Sequence, residues 1–422
     1  MNIVLAAEGS NGDLLPLLAL GNYLREENHQ ITICAPPNNK KFVEEKGFKF
    51  FPLGVDFQSL LNEHSDKVMG KNPMLAMKTI VNLLREQVDR HFTELLEATK
   101  HADLLIASGV MYAAKSVAEF YNISYKHVVP IPHVIPSSEY PPLLVPTLGL
   151  PKWINKMLWK GDRFFQNKVI LQTLNKHREK LRLKKIKDVR FHMLDEVIIP
   201  SDPILEKVPD DVTYKYLQTA YWHFKEEEKL DPEILNFINQ GSPPVFIGFG
   251  SSTDSQPKKT ASLLNELLES SKERFIISKG WANLGAEINN PRVKVIDFVP
   301  YLEIFPKMSV VIHHGGSGTT HCAARSGVPQ IIVPHAMDQY HWGETVRKLH
   351  LGPEPIQRAK LTSKKLLDSI QECLSNETIK SASSDLGLRL SQKDGLKEFG
   401  NHFSLHYTEV HHPSIEKLVT RV

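Results

Sequence analysis

The run Val311-Ile-His-His-Gly-Gly-Ser-Gly-Thr-Thr-His321 joins an apolar segment, Ser309–Ile312, to what reads as a helix start through a glycine-rich turn. Glycines let backbone N–H groups close on a ligand, and the positive end of a helix favours an anion. The chemistry on offer is a grip on phosphate. A little further on, Pro334-His-Ala-Met-Asp-Gln-Tyr-His-Trp342 follows a second apolar segment, Gln330–Val333, and presents a carboxylate and an amide suited to hydroxyl groups. A diphosphate on one loop and hydroxyls on the other suggest a nucleotide-sugar site. The third stretch is Glu8-Gly-Ser-Asn-Gly-Asp13. Asp13 falls at the carboxyl end of the first strand and at the start of a helix. Attack by an alcohol on an anomeric carbon needs a base for the hydroxyl proton, and Asp13 is the candidate. Helix capping is the structural alternative, and a helix N-terminus also weakens a carboxylate as a base. An oxocarbenium-like transition state with late proton transfer tolerates that weakness.

These loops need rigid elements behind them. Ile3–Ala6, Ile31–Cys34, Phe48–Phe51, 103–107 and Tyr125–Val129 read as strands, with helical spacing over Leu14–Glu27 between the first two. A second set begins near Pro243: Val245–Phe249, Arg274–Ser278, Val293–Ile296, Ser309–Ile312 and Ile331–Val333. Short β-rich runs alternating with helical patterns predict parallel α/β sheets. The expected domains are 1–223, a linker over 224–242, a second domain over 243–400, and a C-terminal helical segment, 401–422, that could return to the first domain. The glycine turns all follow strands, so they fall at carboxyl ends, where open α/β sheets bind ligands. Proline-rich 131–152 reads as a long irregular loop of the kind that is usually functional. The segment after it carries Trp153, Met157, Trp159, Phe164 and Phe165, which could wall an acceptor pocket, although core packing is expected for at least half of them.

Composition narrows the function. Hydrophobic residues are 41% and charged residues 23%, as in a soluble globular protein. A net charge of +3 gives no reason to expect nucleic acid. The apolar start, Met1–Ala7, is read as a strand rather than a signal peptide or membrane helix, and no stable membrane insertion is expected. Cys34, Cys322 and Cys373 form neither a metal pattern nor a disulfide framework, so a cytoplasmic setting is expected. His402 and His406 could share a helix face, but no carboxylate or cysteine completes a metal site there.

The motifs resemble the donor-binding signature of family 1 glycosyltransferases, the UDP-glycosyltransferase group, and most of all its antibiotic and sterol branches. His313–Thr320, Gly327-Val-Pro329, Asp338-Gln339 with Trp342-Gly343, and Gly352-Pro-Glu-Pro-Ile356 stand in family order. So do Gly9-Ser-Asn-Gly-Asp-Leu-Leu-Pro16, Gly248-Phe-Gly-Ser251, Gly280-Trp281 and Asp297-Phe-Val-Pro300, whereas 151–240 matches weakly. The resemblance implies the GT-B fold, two Rossmann-like domains facing each other across a cleft, with the acceptor on the first and the nucleotide sugar on the second. It implies that His314 contacts a diphosphate oxygen through a charge-assisted bond. It places the backbone of Gly316, Ser317, Gly318 and Thr319, with the Thr319 hydroxyl, around the phosphates, and brings Ser251 and Gly12 to the donor. Trp281 and Val299 would frame the base, and Asp338 and Gln339 would bind sugar hydroxyls.

Each of these residues has a plainer reading. A histidine can be satisfied in a core, Asp338 can cap the helix that follows it, and a Trp after Gly can simply pack. His133 and Tyr140, in the proline-rich loop, are acceptor-side candidates, and for His133 a solvent-exposed position is favoured. The plant branch pairs a histidine base with an aspartate; the matching region here, Ser108-Gly109-Val110, has no carboxylate, so no such dyad is expected. The plant ribose-binding glutamate is replaced by Cys322. The expected activity is inverting, metal-independent transfer of a sugar, glucose first, from a UDP-sugar to a lipophilic hydroxylated acceptor, with no cofactor beyond the donor. A nucleotide-sugar epimerase or lipid-linked sugar transferase on the same fold, or an inactive nucleotide-sugar-binding homologue, remains open, as do dTDP against UDP and the oligomeric state.

Overall fold

In the computed structural model, which describes residues 1–9, 11–55, 73–145, 149–226, 229–250 and 256–411, the apolar runs form two separate, wholly parallel sheets. The first contains β1 (Asn2–Glu8), β2 (Gln30–Ala35), β3 (Lys49–Pro52), β4 (Leu104–Gly109), β5 (Ser124–Val128), β6 (Glu196–Pro200) and β7 (Lys215–Thr219), ordered β3-β2-β1-β4-β5-β6-β7. The second contains β8 (Val245–Gly248), β9 (Phe275–Ser278), β10 (Val293–Ile296), β11 (Val310–His313) and β12 (Gln330–Ile332), ordered β10-β9-β8-β11-β12. Helices cover both faces of each sheet, so β8, β9 and β11 are buried along their whole length.

The longer helices of the first domain are α1 (Asn11–Glu26), α2 (Pro73–Ala98), α3 (Ala114–Tyr121) and α4 (Lys152–Lys180). Those of the second are α5 (Pro232–Asn239), α6 (Pro257–Ser270), α7 (Ser317–Arg325), α8 (Gln339–Lys348), α9 (Ser363–Ser375) and α10 (Glu377–Ser391), followed by α11 (Gly395–His411). In α1, Leu14, Leu17, Leu18, Leu20 and Leu24 are buried on Ile3, Leu5, Ile31 and Ile33 of the sheet. The region expected to be a linker includes α5, whose Ile234 and Ile238 pack with Phe246 and Val311 of the second domain. Helix α11 crosses back: Phe399 packs edge-on against Trp222 at 5.4 Å, the Trp222 indole N–H donates to Gly395 O at 3.1 Å, and Glu398 accepts from Ala220 N at 2.8 Å.

Strand order reverses direction beside β1 in the first sheet and beside β8 in the second. Loops leaving adjacent strands diverge at such points and open a crevice. Asp13 follows β1, Gly250 follows β8, and His314 follows β11, so these three loops meet switch points, while the Asp338–Gln339 loop leaves the edge strand β12 beside β11. One expectation is corrected on α4. Of its apolar side chains named above, only Trp159 is buried, its indole donating to Tyr140 O at 2.8 Å. Trp153, Met157 and Phe164 are 67%, 57% and 68% exposed, and their spacing puts them on one face of the helix.

Candidate active site

Strand β11 delivers two adjacent histidines to opposite fates. His313 is buried, with Nε2 2.9 Å from Gln330 Oε1 and Nδ1 accepting from Gly315 N at 3.1 Å. Both its nitrogens are committed to the turn. His314 points the other way, its ring lying between Gly250 and Gly316, where a Cβ on either glycine would crowd it. Its Nδ1 is buried without a hydrogen-bond partner. Burial, and then His313 and His335, push its pKa down to about 3. The free imidazole is therefore neutral, and the expected charge-assisted bond begins as a neutral one unless a bound anion raises that pKa. Helix α7 starts at once: Gly316 is its N-cap and has no side chain to cap the turn. The Ser317 hydroxyl instead donates to Pro130 O of the first domain at 3.0 Å.

The second loop is packed against the first. Gly315 has φ +88, and a Cβ there would meet the Gln339 carbonyl at 3.0 Å, so only glycine allows this approach. Gln339 Oε1 accepts from His335 N at 2.7 Å and Ala336 N at 3.0 Å, which ties the amide oxygen to its own loop and leaves the NH₂ as the group available to a ligand. Asp338 precedes α8 but its side chain does not cap the helix. Burial, opposed by its own backbone N–H and His341 and reinforced by Asp13, raises its pKa to about 6.

Asp13 belongs to the first domain and Asp338 to the second, so their coupling spans the cleft. The Asp13 carboxylate lies over Gly9 and beside Gly109. Gly109, at φ +79, leaves room both for the Glu8 carbonyl and for Asp13. Glu8 itself turns away, accepting from Gln87 Nε2 at 2.5 Å and lying 2.6 Å from His91 Nε2, which anchors the strand end to α2.

His133 is not exposed, as favoured from sequence, but 3% accessible. Its Nε2–H donates to Pro141 O at 2.8 Å, and its ring meets Tyr140 at 4.5 Å and His341 of α8 at 4.4 Å. His341 Nε2 is 2.7 Å from Glu206 Oε1, close enough for an ion pair though not aligned as a hydrogen bond. Tyr140, Glu206 and His341 line an open groove of about 620 Å³ at the domain junction. Trp281 is half-buried, with its backbone N–H donating to Gly250 O at 3.0 Å. The Val299 side chain is in the core, leaving only its backbone for a ligand. Gly12 is exposed in the first turn of α1. Ser251 lies outside the described residues.

Sequence reading missed Glu206, His341 and Tyr221. Their partners are distant in the chain, and only His341, beside the Asp-Gln pair, carried a local signal. Among the described residues no group of three or more His, Cys, Asp or Glu could hold a metal ion, and no helix is long and apolar enough to cross a membrane.

Comparison with known proteins agrees with this architecture. Residues 3–136 match the glycosyltransferase family 28 N-terminal domain, and 264–392 match the erythromycin biosynthesis protein CIII-like C-terminal domain. The chain is 30% identical over 361 residues to the vancomycin aglycone glucosyltransferase of Amycolatopsis orientalis, covering 83% of this chain and 85% of the relative. It is 29% identical over 437 residues to a sterol 3-beta-glucosyltransferase of Arabidopsis thaliana, covering 96% of this chain and 68% of the relative. The glycotransferase of kitacinnamycin superposes with a TM-score of 0.72 at 16% identity, covering 96% of this chain and 98% of that one. The calicheamicin glycosyltransferase CalG4 gives 0.72 at 14% identity, covering 97% and 99%.

Proposed function

This chain belongs to the GT-B glycosyltransferases that include the vancomycin aglycone and sterol 3-beta-glucosyltransferases, which makes it a hexosyltransferase, and we propose that it moves glucose from UDP-glucose, with inversion, onto a hydroxyl of a lipophilic small molecule. One observation carries this reading. The Asp13 loop of the first domain and the Asp338–Gln339 loop of the second face one cleft: Asp13 adds to the raised pKa of the buried Asp338, Gln339 packs on Gly315 of the His314 turn, and Ser317 of that turn bonds Pro130 of the first domain.

In this mechanism the acceptor oxygen attacks the anomeric carbon while its proton passes to Asp13. The bond from that carbon to the diphosphate breaks, and UDP leaves with the electron pair. Its growing charge is met by the amides of Ser317, Gly318 and Thr319, the Thr319 hydroxyl, His314 and Ser251. The helix N-terminus takes the part that a metal would otherwise play. Asp338 and the Gln339 amide hold sugar hydroxyls, Trp281 and the Val299 backbone frame the base, and Gly12 closes the turn against the donor. A single in-line displacement turns an α-linked donor into a β-glucoside. His133 and Tyr140 border the acceptor side. The exposed apolar face of α4 supports a lipophilic acceptor of polyketide, phenolic, sterol or lipid type. The three free cysteines support a cytoplasmic site of action.

Acceptor-dependent release of UDP tests the proposal. UDP-glucose, with dTDP-glucose in parallel, is incubated with a panel of hydrophobic alcohols, and the product's anomeric proton coupling is read by NMR. The expected result is release only when an alcohol is present, and a β-linked product. Turnover of the donor without any acceptor, or an α-linked product, would overturn it; a preference for dTDP-glucose would correct the base alone.

A further inference from the structure

Tyr221 is unused by the mechanism above, yet it stands inside the donor site. It is the second residue beyond β7, where the chain runs back across the strand ends. Trp222 enters the core beneath α1, and Phe224 meets Phe42 at 6.5 Å. Tyr221 is 8% exposed. Its ring stacks on His321 of α7 at 4.5 Å and 21°, and meets His223 at 4.9 Å. His321 is itself pinned: it donates from Nδ1 to Ser317 O at 2.8 Å and accepts at Nε2 from Asp202 N at 3.3 Å. The phenol is therefore held against the donor helix by an already fixed neighbour.

The hydroxyl points at the phosphate turn. It lies 2.8 Å from the place a Cβ on Gly318 would occupy, so Gly318 is needed to admit it. Among the described residues it makes no hydrogen bond. Burial, together with Cys322 and Asp13, holds the phenol well above its ordinary pKa, so it keeps its proton. A phenol that retains its proton and makes no hydrogen bond to the described residues is a donor available to a ligand oxygen at the turn. An oxygen bound to the first-turn amides of α7 would be such an acceptor.

We propose that Tyr221 is a further donor-site residue, whose hydroxyl donates from the first domain to a diphosphate oxygen held at the Gly316–Thr319 turn. This rests on the donor-site reading above. The leaving group is then gripped from both domains, and its site is complete only while the β7 exit is docked on α7. The bond strengthens as charge builds on the departing diphosphate, so it favours the transition state over the bound donor.

Tyr221→Phe removes the hydroxyl and keeps the ring stack. Calorimetric titration with UDP, initial rates with UDP-glucose, and a melting curve are compared with wild type, with His314→Ala measured alongside. The expected result is UDP affinity weakened about tenfold, the usual scale for a hydrogen bond to a charged group, a larger fall in kcat/KM, and an unchanged melting temperature. Unchanged UDP affinity in Tyr221→Phe, while His314→Ala loses affinity, would overturn the inference and leave the donor site standing. A shifted pH–rate profile with UDP affinity intact would also overturn it, since the hydroxyl would then serve Asp13. If neither variant weakens UDP binding, the donor-site reading itself falls.

Discussion

Asp338 carries the sharpest conflict between stability and function. Its folded pKa of about 6 lies above the ordinary value of 3.8, mainly through burial. The stability this shift gives is fully present only below about pH 4 and is lost as pH rises through 6. At neutral pH the ionised side chain therefore weighs against folding, and it does not cap α8 in return. Asp338→Asn should melt at or above the wild-type temperature at pH 7.5 while turnover of UDP-glucose falls at least about tenfold, because an acceptor for sugar hydroxyls is lost. UDP binding, measured by calorimetry, should persist. A lower melting temperature with UDP binding also lost would make Asp338 a structural residue. Asp338 could be picked out as a candidate in sequence because the Asp-Gln pair follows a strand. Of the adjacent histidines, the motif position pointed to His314 as the one facing the cleft, whereas the burial of His313 on Gln330 was not legible because Gln330 lies on the next strand. Tyr221 and Glu206 were not legible, because their meaning comes from α7 and α8, far away in the chain.

At the level of elements, strands buried on both faces were the most readable. Runs such as those of β1, β4, β8 and β11 are nearly continuous in apolar residues, and each was found to within a residue or two at its ends. β6 and β7 were missed. β7 is an edge strand whose Lys215 and Tyr216 are exposed, so it lacks the double-sided apolar signature. Helix α4 misled in the other direction: Trp153, Met157 and Phe164 look like core residues by type, yet the helix turns them to solvent. The docking of α11 on the first domain rests on Phe399 filling a space beside Trp222, a long-range match without a local pattern. His133 was misjudged for the same reason, since Tyr140 and His341 enclose it from two different domains.

The two domains meet at the cleft through a few specific contacts, the His341–Glu206 pair at 2.7 Å among them. Ser317 reaches Pro130, His321 receives Asp202 N, and His133 meets His341. Burial lowers the pKa of His127, His133, His313 and His321 to about 4, and of His192 and His314 to about 3. Depressed histidine values give stability that is present above pH 6.5 and lost as pH falls toward 4, the reverse of the Asp338 effect. Several histidines outweigh one aspartate. Melting temperature should therefore drop steeply between pH 7 and 5, with a slope that reports uptake of more than one proton on unfolding. A flat profile over that range would mean that these imidazoles are solvated in solution.

Transfer by Asp13→Asn is the most direct measurement of the proposed chemistry. Asp13 is the third residue of α1 and not its cap, so asparagine, which keeps its size, forgoes only a helix-dipole interaction of about 0.3–1 kcal/mol, and folding and UDP binding should be kept. With UDP-glucose and an alcohol that the wild type accepts, the rate should fall by roughly 10²–10⁴-fold, the usual worth of a positioned base. Near-wild-type transfer to a hydroxyl that is not already ionised would contradict the assignment, remove Asp13 from the mechanism and move attention to His133.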